Sequence, residues 1–241
     1  MLILNLGSGA KTSPLAINID RSLYFRIRRN PVLYRLAQVV MPADRACVLN
    51  SLPPSILLYD LSKGIPAPDS SVDAVYHSHV LEHLDRGAAL PFMRDIYRVL
   101  KPGGVHRVVV PDLEADCRYY LEDLAACEQT PERAAGHDDA IARLIEYMVM
   151  TETPQMSEYP WWWRAVNRYI RADARTRGHI HRWMYDRISL PQLLEHVGFQ
   201  EIVRQDYQSS AIANWTAVGL DVDSEGGEYR PGSLYFEAIK K

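Results

Sequence analysis

Two short apolar runs near the start of the chain, each ending in a distinctive way, constrain the fold most. Residues 2–6 run into Gly7-Ser8-Gly9, and residues 17–19 end on Asp20. Because glycine has no Cβ, a Gly-x-Gly turn after a strand lets the backbone approach a bulky ligand closely. A carboxylate at the end of the next strand is placed to accept hydrogen bonds from ribose hydroxyls. The pattern predicts a nucleoside pocket at the carboxyl edge of a parallel sheet, with a plain tight turn as the alternative.

Strands and helices alternate through the middle of the chain. A third apolar run ends at Asp60, and residues 72–76 form a fourth. Residues 88–100 carry apolar side chains at helical spacing, and the Lys-Pro-Gly-Gly sequence at 101–104 is expected to stop that helix. Residues 105–110 predict another strand. This alternation predicts an α/β fold with a parallel sheet and helices on both faces.

Length and composition favour one domain. A chain of 241 residues with 47% hydrophobic content fits one α/β domain with an insertion, and no segment approaches the roughly 20 apolar residues of a membrane span. No basic stretch precedes the first strand, so we expect no signal peptide. The three cysteines lack metal-ligand spacing, which favours reduced thiols and a cytoplasmic location. The net charge of −3 argues against binding nucleic acid.

Arginines are concentrated in two segments. Residues 21–45 hold six arginines and one acid, and residues 164–187 hold seven arginines beside Trp161-Trp162-Trp163. The first segment is predicted to be a helix flanking the sheet with its arginines in solvent, or a basic amphipathic helix against anionic lipid. In the second, tryptophan and arginine either pack a cap onto the core or line a site for a sugar or anionic acceptor.

The sequence resembles the class I S-adenosylmethionine-dependent methyltransferases. The resemblance covers residues 1–112 well and is carried by the glycine turn, Asp20, Asp60-Leu61, residues 71–83 and residues 98–104. It implies a Rossmann-like seven-stranded methyltransferase sheet with the last strand antiparallel. It also implies a single domain over residues 1–241, with residues 113–188 as a helical insertion that recognises the acceptor.

The chain is also similar to a bacterial subgroup of methyltransferases found beside surface-polysaccharide genes. Three segments carry this likeness: Asn18-Ile19-Asp20, residues 111–114 and residues 181–185. The likeness implies that the acceptor is a small molecule, with the methyl group going to an oxygen of a sugar or of a lipid-linked glycan precursor. The alternatives are methylation of protein or RNA, and a regulatory module that binds S-adenosylmethionine without catalysis.

The resemblance also implies which residues hold the cofactor. Gly7 and Gly9 would let the loop approach the methionine part and the ribose, and Asp20 would take the ribose hydroxyls. Asp60 and Leu61 would meet the adenine. Many members of the family have an acid at the position of Asn5, which can still form a hydrogen bond but brings no charge. The full set expected to bind S-adenosylmethionine, which leaves as S-adenosylhomocysteine, is Asn5, Gly7, Ser8, Gly9, Asp20, Asp60, Leu61, His77 and Ser78.

A base is needed only where the acceptor must lose a proton, and histidine is the natural base near neutral pH. The candidates are His79 and His83 after the fourth strand, His181 in the insertion, and Asp112 at the end of the fifth strand. His179 and His181 have the spacing of a metal pair on a strand. We expect no metal, because the sequence shows no third ligand near them and a lone His-x-His is more often structural. Besides the small-molecule acceptor, the expected partner is a membrane or an anionic acceptor that contacts the arginine-rich segments.

Overall fold

Seven strands form one sheet in the computed structural model, which describes residues 1–52, 56–130, 133, 136–149 and 181–241. The strands lie in the order β3-β2-β1-β4-β5-β7-β6. All neighbouring pairs are parallel except those of β7, which is antiparallel to both β5 and β6. The strands are β1 (Ile3–Leu6), β2 (Ile17–Asp20), β3 (Leu57–Leu58), β4 (Val72–Ser78), β5 (Leu100–Pro111), β6 (Gln200–Gln205) and β7 (Ser233–Ile239). The predicted methyltransferase sheet is confirmed.

Helices cover both faces of the sheet. The larger core packs one face against α4 and α7, and the smaller core packs the other face against α8 and the segment before it. Buried residues alternate along β4, with Val75 in the first core and Tyr76 in the second, as a strand covered on both faces requires. The helices are α1 (Leu23–Arg29), α2 (Pro31–Val40), α3 (Ala43–Ser51), α4 (Arg86–Val99), α5 (Leu113–Gln129), α6 (His137–Val149), α7 (Ser189–Val197) and α8 (Trp215–Val218).

The arginine-rich segment after β2 forms separate helices. Asn30 ends α1 and begins α2, because its side-chain oxygen accepts hydrogen bonds from the backbone N–H groups of Val32 and Leu33. Pro31 follows at the first helical position, where its missing N–H costs nothing. A third helix, α3, precedes β3. The expectation of one amphipathic helix over this segment is therefore wrong.

The Lys-Pro-Gly-Gly sequence belongs to a strand. The helix before it ends at Val99, one residue earlier than predicted, and β5 starts at Leu100. Gly103 has φ +78, and its N–H donates to the carbonyl of Lys240 beyond β7. The register between β4 and β5 shifts between Val72 and Ala74, so the extra residues lie in an irregular start of the strand.

A buried arginine ties the last strands to the segment around α8. The guanidinium of Arg107 on β5 lies 2.7 Å from Asp221 Oδ2 and 2.8 Å from Glu237 Oε1, and it is fully enclosed. Asp221 also accepts hydrogen bonds from the Tyr76 hydroxyl and the Trp215 indole N–H. The charges are thus paired and hydrogen-bonded, the condition under which a buried charge is tolerated.

The insertion after β5 begins with α5 and α6, which pack on each other. The second helix of the insertion, α6, begins at His137 and ends at Val149. Trp161-Trp162-Trp163 and His179 lie outside the described residues, as do most of the arginines predicted to line the cap. Among the helices that the structure describes, none combines the length and apolar character needed to cross a bilayer.

Candidate active site

A cleft opens at the carboxyl edge of β1 and β4. It encloses about 430 Å³, including space open to solvent. Five of the residues expected to bind the cofactor line it, together with the base candidate His79. The lining residues are Asn5, Gly7, Ser8, Gly9, Ala10, Lys11, Tyr76, Ser78, His79, Tyr229 and Arg230.

The glycine turn after β1 carries two glycines with different roles. Both have positive φ, +63 at Gly7 and +51 at Gly9. A Cβ on Gly7 would lie 2.6 Å from Cγ2 of Val80, whereas a Cβ on Gly9 would meet no atom within 4 Å. Gly7 is therefore required by the protein's own packing, and Gly9 leaves open space for a ligand. Close approach of the cofactor to both glycines stays a prediction, and the open space lies at Gly9.

Asp20 at the end of β2 lies beside this turn. Its Oδ2 accepts a hydrogen bond from the Gly9 N–H over 2.8 Å, and its Oδ1 accepts one from the Ser22 N–H over 2.6 Å. A carboxylate has about four lone-pair sites, so two remain for ligand hydroxyls. The open space at Gly9 and the adjacent carboxylate fit the ribose of S-adenosylmethionine.

Asn5 organises the loop from within the sheet. It is buried, and its amide donates to Asn18 Oδ1 and to the carbonyl of Lys11. Asn18 in turn holds Ser13 by two hydrogen bonds. An asparagine in place of an acid is therefore stabilised by a second amide across the strands, and Lys11 is drawn towards the cleft.

Asp60 and Leu61 lie at the same edge of the sheet but outside the lining of the cleft. Asp60 begins a 3₁₀ turn, Leu61–Lys63, by accepting from the Ser62 N–H and hydroxyl, and Arg21 lies 2.7 Å from its Oδ2. The Ser62 and Arg21 hydrogen bonds lower the pKa of the Asp60 carboxyl to about 2. A contact with adenine remains a prediction for this pair.

The side chains of His77 and Ser78, the last two residues of β4, project from opposite faces of the strand. Ser78 lines the cleft, whereas the ring of His77 is fully buried between Phe92 and His106, whose Nε2 is 3.1 Å from that of His77. Burial lowers the pKa of His77 to about 4, so it is neutral. The structure thus places His77 in the core beneath the edge and not on the surface of the cleft, because the period-two alternation of the strand turns it inward.

His79 follows β4 in a left-handed conformation with φ +53, which is uncommon for a residue other than glycine. Its Nδ1 lies 3.3 Å from Glu82 Oε1, and its Nε2 lies 2.9 Å from the Ser233 hydroxyl. That hydroxyl also has the Arg230 carbonyl within 2.7 Å as an acceptor. A carboxylate facing Nδ1 favours the tautomer whose Nε2 can accept a proton.

Glu82 brings the other two base candidates together. His83 Nε2 lies 3.9 Å and His181 Nε2 lies 3.8 Å from Glu82 Oε1, and all three side chains are largely enclosed. Burial works to raise the pKa of Glu82, but His79 and His83 outweigh it, so the pKa lies below its ordinary value. Three of the four base candidates therefore surround one carboxylate.

The contacts of Asp112 stabilise the fold around the start of α5. Its Oδ1 caps α5 by accepting from the N–H groups of Glu114 and Ala115, and Arg204 lies 3.4 Å from its Oδ2. It does not line the cleft. Its catalytic role stays a prediction without a contact that favours it.

Five cleft residues were missed from the sequence: Ala10, Lys11, Tyr76, Tyr229 and Arg230. Lys11 lies two residues after Gly9, so its position beside the glycine turn was the available signal. Its ammonium lies 4.6 Å above the Tyr229 ring and donates to the Val222 carbonyl, and burial lowers its pKa. No local pattern marks Tyr229 or Arg230, because they reach the cleft from a loop far along the chain.

Comparisons with known proteins agree with this geometry. Residues 6–108 match the family described as "Methyltransferase domain". That range runs from the end of β1 into β5 and contains Asp20, Asp60 and the sequence from His79 to His83. No curated protein matches the sequence.

The solved structures that resemble this chain are distant. A SAM-dependent methyltransferase from Archaeoglobus fulgidus is 14% identical, with a TM-score of 0.42, covering 99% of this chain and 86% of that one. A putative methyltransferase from Haloferax volcanii, solved with the Trm112 activator, is 15% identical, with a TM-score of 0.41 and coverage of 99% and 82%. Human N-acetylserotonin methyltransferase, in complex with SAM, is 13% identical, with a TM-score of 0.43 and coverage of 99% and 47%.

Likeness at this level carries no argument about the acceptor. The strand order, the antiparallel β7, the glycine turn beside Asp20 and the family match over residues 6–108 all point to the same class of enzyme. Residues 6–108 match a methyltransferase domain, and S-adenosylmethionine is the cofactor of this methyltransferase.

Proposed function

We propose that the protein transfers a methyl group from S-adenosylmethionine to an oxygen of a small-molecule acceptor, a sugar or a lipid-linked glycan precursor. The observation that carries this proposal is the position of His79. It borders the same cleft as Gly9 and Ser78, and Glu82 lies against its other ring nitrogen. A hydroxyl acceptor must lose its proton, so an oriented imidazole at this place favours an oxygen acceptor.

The roles of the residues follow from their contacts. When bound, S-adenosylmethionine supplies a methyl group on a cationic sulfur, and transfer to a hydroxyl leaves S-adenosylhomocysteine and one proton. Asp20 and the Gly9 backbone hold the ribose, and Lys11 provides a cation on the same wall for the carboxylate of the methionine part. His79 takes up the released proton at Nε2. Ser233 is the present partner of Nε2, and its hydroxyl can turn to the Arg230 carbonyl instead.

The exposed apolar side chains of α2 favour a lipid-linked acceptor over a free sugar. Its side chains Ala37 and Tyr34 face the small core of the helical segment, yet its widest apolar arc faces solvent. Val39 is 85% exposed and Leu36 is 59% exposed. The arc consists of Val32, Leu33, Leu36, Val39 and Val40.

Exposed cations occur in the same helical segment as this apolar arc. Arg26 and Arg29 on α1 and Arg35 on α2 are exposed, and residues 22–43 contain no acid. An apolar helical face flanked by arginines is the pattern of a helix that lies in the headgroup region of an anionic bilayer. Peripheral contact of this kind would bring the cleft to an acceptor anchored in the membrane.

The acceptor can be identified by following a labelled methyl group. Purified protein is incubated with methyl-labelled S-adenosylmethionine and, separately, with nucleotide sugars, a lipid extract, RNA and total protein. We expect label in the sugar or lipid fraction. Label confined to RNA or protein would overturn the proposal. Failure to turn over in any fraction, with tight binding of S-adenosylhomocysteine, would instead favour a regulatory module.

A variant of His79 tests the mechanism in the same assay. Replacing it by glutamine removes the proton acceptor but keeps a side chain of similar reach. We expect kcat to fall by about 10²- to 10⁴-fold, the usual contribution of a general base, with little change in the affinity for S-adenosylhomocysteine. His196→Gln on the exposed end of α7 is the matched control. An unchanged kcat for His79→Gln would exclude His79 as the base.

A further inference from the structure

Glu82 is a buried carboxylate surrounded by three imidazoles. Its side chain is 0% exposed, and neither Oε1 nor Oε2 makes a hydrogen bond of good geometry within the described residues. The nearest group is His79 Nδ1 at 3.3 Å. A buried ionised carboxylate is costly unless it is paired or coordinates a metal. Orienting His79 engages Oε1 alone and leaves Oε2 without a hydrogen-bond partner among the described residues.

The groups around Glu82 form a ligand set. One nitrogen each of His83 and His181 and one oxygen of Glu82 all lie within 4.8 Å of one another. Ligands of a tetrahedral ion bound at about 2.1 Å lie about 3.4 Å apart, so the observed 3.8 and 3.9 Å from Glu82 Oε1 require only small side-chain movements. We propose that Glu82, His83 and His181 bind a divalent transition-metal ion, with zinc as the reference ion.

The backbone holds these ligands in place before any ion binds. The N–H groups of Arg182 and Trp183 both donate to the Glu82 carbonyl, over 2.7 and 3.2 Å. Residues 181–183 are therefore held against the turn after β4 by hydrogen bonds that span about 100 positions of the sequence. Preassembly of this kind lowers the entropy cost of collecting ligands, which is a condition for a specific site.

The chemistry of the donors selects the ion. Two imidazoles and one carboxylate suit zinc and its neighbours in the first transition series, whereas magnesium and calcium prefer oxygen ligands. Three protein ligands leave a coordination position for water or another group. Since His79 contacts both Glu82 and the cleft, the ion would lie at the border of the cleft. The expectation of no metal rested on the lack of a third ligand near His179 and His181 in the sequence. The fold brings two further candidate ligands, Glu82 and His83, close to His181.

A second triplet provides an internal comparison. Asp123, Cys127 and His137 also come within 4.8 Å of one another, but all three are partly exposed. Its His137 already has Asp123 Oδ2 within 2.7 Å of Nδ1, so no enclosed carboxylate is left unpartnered. We assign no ion to this triplet, and its variant serves as a control.

Binding can be measured without any methyl acceptor. The full chain, prepared without a histidine tag and dialysed against a chelator, is titrated with Zn²⁺ by calorimetry and with Co²⁺ by absorption. We expect the calorimetric titration to give a stoichiometry of about one Zn²⁺ per chain. We expect the Co²⁺ titration to give visible absorption bands whose intensity indicates low-symmetry coordination. Absence of both signals in the wild type would overturn the proposal whatever the variants do.

Variants then assign the site. His83→Ala and His181→Ala should each raise the Kd for Zn²⁺ by at least about 100-fold, since even the loss of outer partners costs 10- to 100-fold. His137→Ala and His196→Ala should leave the Kd unchanged. Circular dichroism confirms folding, and His83 is the more exposed of the two ligands, so its replacement is the safer test. Unchanged binding in both ligand variants, or loss only in His137→Ala, would refute the assignment.

Discussion

The Gly9 N–H donates a hydrogen bond of 2.8 Å to Oδ2 of Asp20, so the turn after β1 and the end of β2 form one unit. The Ser8 N–H reinforces it by donating to the carbonyl of Ile19 over 3.1 Å. The carboxylate is thereby oriented before a ligand arrives. Preorganisation of this kind reduces the cost of ordering the site on binding.

Replacing Asp20 by asparagine should weaken cofactor binding. The change removes the charge while leaving an oxygen that can accept from Ser22. We expect the affinity for S-adenosylhomocysteine to fall by about 1–3 kcal/mol, roughly 5- to 150-fold, the range for hydrogen bonds to a charged group. Calorimetry measures it, with Asp69→Asn as the control because Asp69 is exposed and pairs with Arg98. Equal affinities of the two variants would contradict the role of Asp20.

Alanine at the two glycines should separate packing from ligand binding. In Gly7→Ala the new Cβ would lie 2.6 Å from Val80 Cγ2, so we expect about 1–3 kcal/mol of lost stability from overpacking, beyond the backbone strain. In Gly9→Ala only the strain of a positive φ applies, about 1–2 kcal/mol, but the methyl group occupies open space that the ligand needs.

Urea unfolding and calorimetry with S-adenosylhomocysteine distinguish the two effects. Gly7→Ala should show the larger loss of stability, and Gly9→Ala the larger loss of affinity relative to its stability. The reverse order would show that the ligand approaches the turn at Gly7 and not at Gly9.

Local sequence patterns predicted the sheet better than they predicted the site. The runs ending in Gly7 and Asp20 could be recognised because a strand, its turn and the next strand lie within twenty residues. The alternation along β4 separates His77 from Ser78, but the sequence does not reveal which face meets the cleft. The cluster around Glu82 depends on His181, and the wall of the cleft depends on Tyr229. Those contacts join distant parts of the chain and have no local signature.

Acid should destabilise the protein through His77 and His106. Both rings are buried, against Phe92 and Phe199 and against each other, and burial holds the pKa of His77 at about 4 and that of His106 well below its usual value. The charge of Glu82 opposes this shift at His77 only in part. Between pH 6.5 and 4 the unfolded chain therefore binds more protons at these positions than the folded protein, and stability falls as the pH is lowered.

The full loss from His77 alone, reached below pH 4, amounts to about 3 kcal/mol from a shift of about 2.5 pKa units, and about 2 kcal/mol of it falls between pH 7.5 and pH 5. Urea unfolding at pH 7.5 and at pH 5 measures it. The double replacement His77→Leu with His106→Leu removes both titrating rings from an apolar site, and we expect a smaller difference between the two pH values. His196→Leu, on the exposed end of α7, is the control. If the double variant keeps the full pH dependence of stability, other titratable groups cause the acid sensitivity.

The exposed face of α2 should bind anionic bilayers. We expect the protein to sediment with vesicles containing phosphatidylglycerol and to remain in solution with vesicles of phosphatidylcholine alone, because the flanking arginines favour negative headgroups. Replacing Leu36 and Val39 by serine removes apolar contact without changing the charge and should reduce binding at least about tenfold, since each side chain is worth about 1.5–3 kcal/mol when fully buried. Replacing Ile145 and Leu121, exposed apolar residues on other helices, controls for general hydrophobicity. Equal binding to both lipids, or binding that survives the α2 replacements, would rule out this face as the membrane contact.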